Sequence, residues 1–319
     1  MLRNLMLRRR IAVWLACFSL ATSALAQTST PPLPEKQQAL WSKLEKSIID
    51  IDRDLDGVMG VAVVDLTDGH KYLLHADAVF PQASSIKICI LAELYRQAQQ
   101  GKLKLTDLYT VNAADLVPDS DILGGLTPGV SRVTLRDLAT MMISVSDNSA
   151  ANVLIDRVGM DKVNAFLATQ GLRETRLRRK MMDLKAAVEG RENVSTPNEM
   201  SSLLQALYRG EILNKEMTAD FFKVLSTHHN DSFFPRDLPD NVKIADKSGE
   251  LEGVRNDSGV IFLDKHPYIL CVMTTYLRRE RDGEEAISNI SLAAWRMFDR
   301  LARASEYGRV ISPGNSSSR

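Results

Sequence analysis

Three short polar motifs stand out in the sequence because together they contain the groups that nucleophilic catalysis requires. In chain order they are Ser84-Ser85-Ile86-Lys87, Ser146-Asp147-Asn148 and Lys247-Ser248-Gly249. A serine hydroxyl is a weak nucleophile at neutral pH until a base removes its proton. Because Lys87 follows Ser84 by three residues, a helix would place both side chains on the same face. The spacing therefore predicts a serine nucleophile whose proton is taken by a lysine.

A buried lysine can serve as that base. Burial and a neighbouring cation both destabilise an ammonium group, so each would lower the pKa of Lys87. The start of a helix also directs backbone N–H groups and a positive dipole toward an oxyanion formed near Ser84. The alternative for this motif alone is that Ser84 caps the helix and Lys87 is a surface cation.

The second and third motifs supply the other groups that such a reaction needs. Ser146 falls between two helical segments, where its hydroxyl would shuttle a proton to a leaving nitrogen while Asn148 holds Lys87 or a substrate amide. Lys247 follows an apolar strand and would offer a second positive charge to a substrate carboxylate. Gly249 would let a ligand lie close to that strand. Taken singly, the second motif is also typical of a helix cap and the third of a solvated strand end, but their order and positions at element boundaries favour one site.

The histidines indicate no competing mechanism. They fall in predicted turns or loops or, for His75, at the end of a predicted strand, and the sequence contains no Gly-x-Ser-x-Gly elbow and no His-x-x-x-His pair. Neighbouring histidines in a loop are most often surface residues, and this is the expectation for His228 and His229. No metal site and no cofactor is predicted. The five histidines are His70, His75, His228, His229 and His266.

The order of the predicted elements indicates an α+β fold. Strands near both ends of the chain enclose a helical middle, which predicts an antiparallel sheet of about five strands flanked by helices, with an inserted all-helical domain. The sheet-containing domain is expected at 35–80 and 236–304, and the helical domain at 81–235. Strands are predicted at 60–66, 71–75, 242–246, 257–263 and 268–276. Helices are predicted at 35–50, 84–101, 135–144, 150–158, 196–207, 215–225 and 284–304, the fifth with a capping box formed by Thr196 and Glu199.

The first 26 residues have the pattern of a secretory signal peptide. Arginines precede an apolar run at 11–21 that is too short to span a membrane, and Ala24-Leu25-Ala26 forms a cleavage site before a lead-in at 27–34 expected to be disordered. Cleavage removes four arginines and no acidic residue from 40 basic and 40 acidic residues, which leaves a net charge of −4. This charge argues against a nucleic-acid partner. The mature protein is expected to be periplasmic and monomeric, without a membrane span, and to end in a flexible tail at 305–319.

Two cysteines remain after cleavage, Cys89 and Cys271, and both lie in apolar runs. They are expected to be buried small hydrophobic residues, although an oxidising compartment would also permit a disulfide.

The sequence around the three motifs resembles the class A β-lactamase and penicillin-binding superfamily of serine hydrolases, from about Leu40 to Leu301. The segments that carry the resemblance are 80–87, 142–152, 246–250 and 253–257. The resemblance implies a β-lactamase/transpeptidase-like fold in which Ser84 is acylated and Lys87 and Ser146 move protons. It further implies that Lys247 and Ser248 hold a substrate carboxylate, and that the backbone N–H groups of Ser84 and Glu250 form the oxyanion hole.

The sequence departs from this family in one loop. Class A hydrolases carry a glutamate there that activates the deacylating water, whereas the alignment counted from Thr175-Arg176-Leu177 places Met181 at the glutamate position and Lys185 at that of a nearby asparagine. Counting back from Thr196-Pro197 places Lys180 there instead. The nearest carboxylate is Asp183, a possible deacylation base or else the partner of a salt bridge to Arg178 or Arg179.

Three functions fit these residues. The first is an exported class A β-lactamase-type hydrolase that opens a β-lactam, or a related acyl group, with deacylation in doubt. The second is a D-alanyl-D-alanine carboxypeptidase or an esterase on the same fold, acting on peptidoglycan-derived or small acyl substrates. The third is a penicillin-binding sensor that stays acylated.

Overall fold

The computed structural model describes residues 33–228 and 230–310. The predicted signal peptide, most of the lead-in, His229 and residues 311–319 of the predicted tail lie outside these ranges. Within them, no helix combines the length and the apolar character needed to cross a membrane.

Five strands from the two ends of the chain form one antiparallel sheet. The strands of the described ranges are β1 Val58–Asp65, β2 Lys71–Leu74, β3 Phe80–Pro81, β4 Leu108–Thr110, β5 Arg132–Thr134, β6 Val194–Ser195, β7 Lys243–Leu251, β8 Val254–Phe262 and β9 Tyr268–Thr275. The sheet has the order β2-β1-β9-β8-β7, so β7 lies at one edge. This arrangement confirms the predicted α+β class and the predicted number of sheet strands. The short strands pair separately, β3 with β6 and β4 with β5.

Helices cover both faces of the sheet. They are α1 Glu35–Asp54, α2 Lys87–Gln99, α3 Leu135–Ser144, α4 Asn148–Val158, α5 Met160–Thr169, α6 Leu184–Val188, α7 Pro197–Tyr208, α8 Lys215–Leu225 and α9 Glu280–Arg303. A 3-10 turn over Ala83–Ile86 leads directly into α2. The division into a sheet-containing and a helical domain remains a prediction.

The sheet is buried on both faces, and β1 shows how its sequence achieves this. Ala62 and Val64 pack into a core shared with the central helices, while Val61 and Val63 pack into a second core with α1 and α9. Successive strand residues point to opposite faces, so a strand covered on both sides needs a continuous apolar run. In the second core, the rings of Tyr268 and Phe298 stack with centroids 4.1 Å apart.

Two local expectations need correction. Thr196 accepts a hydrogen bond from the Glu199 N–H at 3.1 Å, as in a capping box, but the Glu199 carboxylate does not return it. That carboxylate instead accepts from the backbone N–H groups of residues 173–175. The third motif does not lie at a strand end, because β7 continues through it to Leu251.

The two cysteines are free and buried, Cys89 in α2 and Cys271 in β9. Burial raises the pKa of each thiol to about 12. Both thiols therefore stay protonated at neutral pH and pack as small hydrophobic groups.

Candidate active site

Ser84 lies in the 3-10 turn that precedes α2, and two hydrogen bonds anchor the chain just before this turn. The Asn256 amide donates to the Pro81 carbonyl at 2.7 Å, and the Gln82 N–H donates to the Asn193 carbonyl at 2.7 Å. Ala83, directly before Ser84, has a φ of +48°, a left-handed conformation that non-glycine residues adopt only at a cost. These two hydrogen bonds anchor the chain just before Ala83 and thereby help to fix the position of Ser84, which stays partly exposed.

Gly249 makes room for the same turn. A Cβ atom at this position would lie 2.4 Å from the Gln82 carbonyl oxygen and 2.8 Å from Ser85 Oγ. Ser85 Oγ in turn donates to the Lys247 carbonyl at 3.1 Å. The missing side chain of Gly249 thus lets the turn that carries Ser84 pack against β7, and the close approach of a ligand at Gly249 stays a prediction.

The Lys87 ammonium is fully buried. It contacts Ser146 and Asn148, the two residues of the second motif that were predicted to act with it. Its Nζ donates to Ser146 Oγ at 3.0 Å, to the Ser146 carbonyl at 2.6 Å and to Asn148 Oδ1 at 2.9 Å. Burial, assisted by the nearby positive charge of Lys247, lowers the pKa of Lys87 well below its ordinary value. A lysine in this state gives up its proton more readily than an exposed lysine, and its neutral amine can then act as a general base.

Ser146 lies in the turn between α3 and α4, and the next residue, Asp147, fixes the backbone of this turn. Ser146 has a φ of +58°. Asp147 caps α4 by accepting from the Ala150 N–H at 2.9 Å, and its other oxygen accepts from the Leu123 N–H at 2.8 Å. Asp147 is therefore structural, and these hydrogen bonds fix the backbone that places Ser146 beside Lys87.

The third motif places a second buried amine on β7. Lys247 is 1% exposed, and its Nζ donates to the Ser248 carbonyl at 2.9 Å. Burial lowers the pKa of Lys247 to about 8, even though Asp246 and Asp257 raise it. The amine thus remains mostly charged at neutral pH, as a carboxylate-binding group should be.

His228 belongs to this site, so the expectation that it lies at the surface is wrong. Its side chain is only 3% exposed, and Nε2 lies 3.2 Å from both Lys247 Nζ and Ser248 Oγ. Asn230 was also not predicted, and its amide donates to Ser248 Oγ and to Glu250 Oε1, each at 3.1 Å. The only sequence signal was the polar run that ends α8, because the contacts span about 20 residues and depend on how that loop folds back onto β7.

Two buried carboxylates lie behind His228. Asp246 Oδ2 is 2.9 Å from His228 Nδ1, and Asp257 accepts from the Phe234 N–H at 3.2 Å. Burial and the adjacent Asp246 carboxylate raise the pKa of Asp257 well above its ordinary value. Burial therefore favours the protonated form of Asp257, which reduces the negative charge that the pair presents to the imidazole.

Residues of all three motifs line one cavity of about 360 Å³ beside Ser84. Ser84 and Glu250, whose N–H groups are the predicted oxyanion hole, both line it. It joins the three motifs and the loop after α8 in one place. Its lining consists of Ser84, Asp121, Ser144, Val145, Ser146, His228, Asn230, Lys247, Ser248 and Glu250.

The loop that departs from the family presents Met181 to the neighbouring cavity, which Ser84 also lines. The Met181 N–H donates to Asn152 Oδ1 at 2.8 Å, and Asn152 Nδ2 donates back to the Met181 carbonyl at 3.0 Å. Lys180 points away and pairs with Asp156 at 2.6 Å. Of the two alignments of this loop, the geometry favours the one that places Met181 toward Ser84.

Asp183 is exposed and accepts from the Ala186 N–H at 3.0 Å, so it caps α6. The predicted alternative for Asp183 was an ion pair with Arg178 or Arg179. Arg179 instead forms an ion pair with Glu192 at 2.8 Å. Within the described ranges, no cluster of three or more metal-ligating side chains occurs.

Comparison with known proteins places this geometry in context. The model of a family described as the beta-lactamase enzyme family matches residues 42–298. The chain is 28% identical over 256 residues to beta-lactamase SME-1 of Serratia marcescens, covering 78% of this chain and 86% of that protein. A solved beta-lactamase from Sphaerobacter thermophilus DSM 20745 is 33% identical with a TM-score of 0.74, over 80% of this chain and 97% of that one. A variant of PBP-A, solved as an acyl-enzyme complex with penicillin G, is 25% identical with a TM-score of 0.74, over 82% and 97% of the two chains.

Proposed function

The chain belongs to the beta-lactamase enzyme family, and from that premise we propose that it opens β-lactam rings through an acyl-enzyme on Ser84 and releases the product slowly. It is a class A β-lactamase-like serine hydrolase. The observation that carries the proposal is the buried Lys87 amine, which lies 3.0 Å from Ser146 Oγ and 2.9 Å from Asn148 Oδ1.

Acylation follows from these contacts. The neutral Lys87 amine takes the proton of Ser84 Oγ, and the oxygen attacks the lactam carbonyl carbon. The negative charge that forms on the carbonyl oxygen is stabilised by the N–H groups of Ser84 and Glu250. As the ring C–N bond breaks, the Lys87 ammonium returns its proton through the Ser146 hydroxyl to the departing nitrogen. Lys247 and Ser248 meanwhile hold the substrate carboxylate and orient the ring.

Slow release follows from the loop. Hydrolysis of an acyl-enzyme needs a base that activates water. Here the loop contributes Arg179, Met181, Met182 and Leu184 to the cavity lining, and the carboxylates of that lining, Asp119, Asp121 and Glu250, come from other segments. The Asp183 carboxylate is engaged in capping α6. The acyl-enzyme complex of the PBP-A variant with penicillin G supports the expectation that this fold can hold such an intermediate.

Export is part of the proposal. The arginine-rich start, the apolar run at 11–21 and Ala24-Leu25-Ala26 support cleavage before Gln27 and delivery to the periplasm. The mass of the protein recovered from a periplasmic extract tests this. A chain that starts at Gln27 is expected, and recovery only of the full-length chain in the cytoplasm would contradict it.

A chromogenic cephalosporin tests the function when colour and intact mass are followed together. The expected result is a burst of one equivalent of colour, a lasting mass adduct on Ser84 and slow turnover afterwards. Ser84→Ala should lose both the burst and the adduct. Rapid continuous turnover would contradict slow release. Absence of an adduct, with release of D-alanine from a peptide ending in D-alanyl-D-alanine, would instead establish the carboxypeptidase alternative.

A further inference from the structure

His228 bridges the two residues that are expected to bind the substrate carboxylate. Its Nε2 lies 3.2 Å from Lys247 Nζ and 3.2 Å from Ser248 Oγ, and its Nδ1 lies 2.9 Å from Asp246 Oδ2. The ring is almost fully buried, but it lines the cavity that holds Ser84. It is therefore placed to influence substrate binding directly.

The contacts define the tautomer of the free enzyme. An ammonium group can only donate hydrogen bonds, so Nε2 must accept from Lys247. The ring proton is then on Nδ1 and is donated to Asp246. In this state the neutral imidazole orients the Lys247 amine, and together with Asn230 it holds the Ser248 hydroxyl.

The surrounding charges make the protonation of His228 dependent on a ligand. The Lys247 ammonium opposes a second positive charge 3.2 Å away, whereas the Asp246 carboxylate favours it. A substrate carboxylate bound at Lys247 and Ser248 would offset the repulsion between the two cations. Among the described residues, the charged and titratable groups that face this region are Asp246, Lys247 and Glu250 on β7, Asp257 on β8, Lys87 on α2 and Asp121, which lines the same cavity.

We propose that His228 is a positioning residue that holds Lys247 and Ser248 for a substrate carboxylate, and that it takes up a proton when the carboxylate binds. This rests on the proposed function, which supplies a carboxylate-bearing substrate. Protonated Nε2 would then donate to the carboxylate or to Ser248, so that binding of anionic substrates strengthens as the pH falls.

The test compares acylation by a chromogenic cephalosporin and by its methyl ester, which lacks the carboxylate charge. His228→Ala should lower kcat/KM for the free acid about tenfold, mainly through KM, and should change the ester less than threefold. His228→Gln keeps a polar side chain that does not titrate, so it should restore most of the loss. Between pH 7 and 5.5, the acid-to-ester ratio of kcat/KM should rise at least threefold in the wild type and stay flat in His228→Gln. A parallel loss on both substrates, or the same pH slope in both proteins, would overturn the proposal.

His266→Gln provides a matched control. His266 also faces a buried aspartate, with Nδ1 3.1 Å from Asp65 Oδ2, but it lines a different cavity. This variant should leave the acid-to-ester ratio unchanged at every pH. A shift as large as that in His228→Gln would overturn the specific role of His228.

Nitrogen NMR reports which ring nitrogens of His228 carry a proton, so it tests the proposal even if Ser84 is not acylated. At pH 7.5 the free protein should show a protonated Nδ1 and an unprotonated Nε2. Sodium acetate, as a simple carboxylate probe, should raise the pH at which Nε2 gains its proton by at least half a unit. An unchanged titration would overturn the proposal, whereas absence of acylation together with the expected shift would overturn only the proposed function.

Discussion

Replacement of Gly249 by alanine tests how the strand positions the nucleophile. The new Cβ would lie 2.4 Å from the Gln82 carbonyl oxygen and 2.9 Å from the Ser85 nitrogen, and both are backbone atoms that cannot rotate away. Ordinary contact begins near 3.4 Å, so the turn that carries Ser84 must move by about 1 Å. A displacement of this size at reacting groups costs about 100-fold in rate. The added bulk should also lower the free energy of unfolding by about 1–3 kcal/mol.

Stopped-flow acylation by a chromogenic cephalosporin and urea unfolding measure the two effects. Gly249→Ala should acylate about 100-fold more slowly at saturating substrate, while most of the protein remains folded. Gly125→Ala is the control, since a Cβ there meets nothing within 4 Å, and it should behave like the wild type. An acylation rate within threefold of the wild type for Gly249→Ala would refute the claim that this contact positions Ser84.

Further predictions concern the loop, the second lysine and the scaffold. Met181→Glu should raise the deacylation rate, followed by loss of the mass adduct, whereas Lys180→Glu should not; equal effects would contradict the alignment that places Met181 at the glutamate position. The plot of kcat/KM against pH for an anionic substrate should fall above about pH 8, because Lys247 then loses its charge, and an uncharged ester should not share this fall. Glu199→Ala leaves the N–H groups of residues 173–175 without their acceptor and should cost about 3 kcal/mol in urea unfolding, and a loss below 1 kcal/mol would contradict this role.

Local patterns in the sequence were sufficient to predict much of the scaffold. The apolar periodicity at 135–144 and 215–225 coincides with α3 and α8, and the continuous apolar run at 60–66 corresponds to a sheet strand covered on both faces. In each case the signal lies within one element and reflects burial of one face or of both. The helix α5 was not predicted, although the structure has it at Met160–Thr169.

Within the candidate site, the sequence could predict only those residues whose side-chain type and spacing indicate their chemistry. Serine and lysine at their spacing indicated Ser84 and Lys87 without knowledge of the fold. The environment of Gly249 could not be predicted, because its close neighbour is the Gln82 carbonyl, more than 160 residues away in the chain. His228 could not be predicted for the same reason, since its burial depends on the return of a loop onto β7. Contacts that join distant segments have no local sequence pattern.

The central claim is that the buried Lys87 amine activates Ser84. The most direct measurement is the rate of covalent labelling by penicillin G in the wild type and in Lys87→Met, with the modified residue located by peptide mass analysis. We predict a single adduct on Ser84, formed at least 100-fold more slowly in Lys87→Met, because a general base contributes about 10²–10⁴ in rate. An adduct on another residue, or labelling of Ser84 at an unchanged rate in folded Lys87→Met, would contradict the claim.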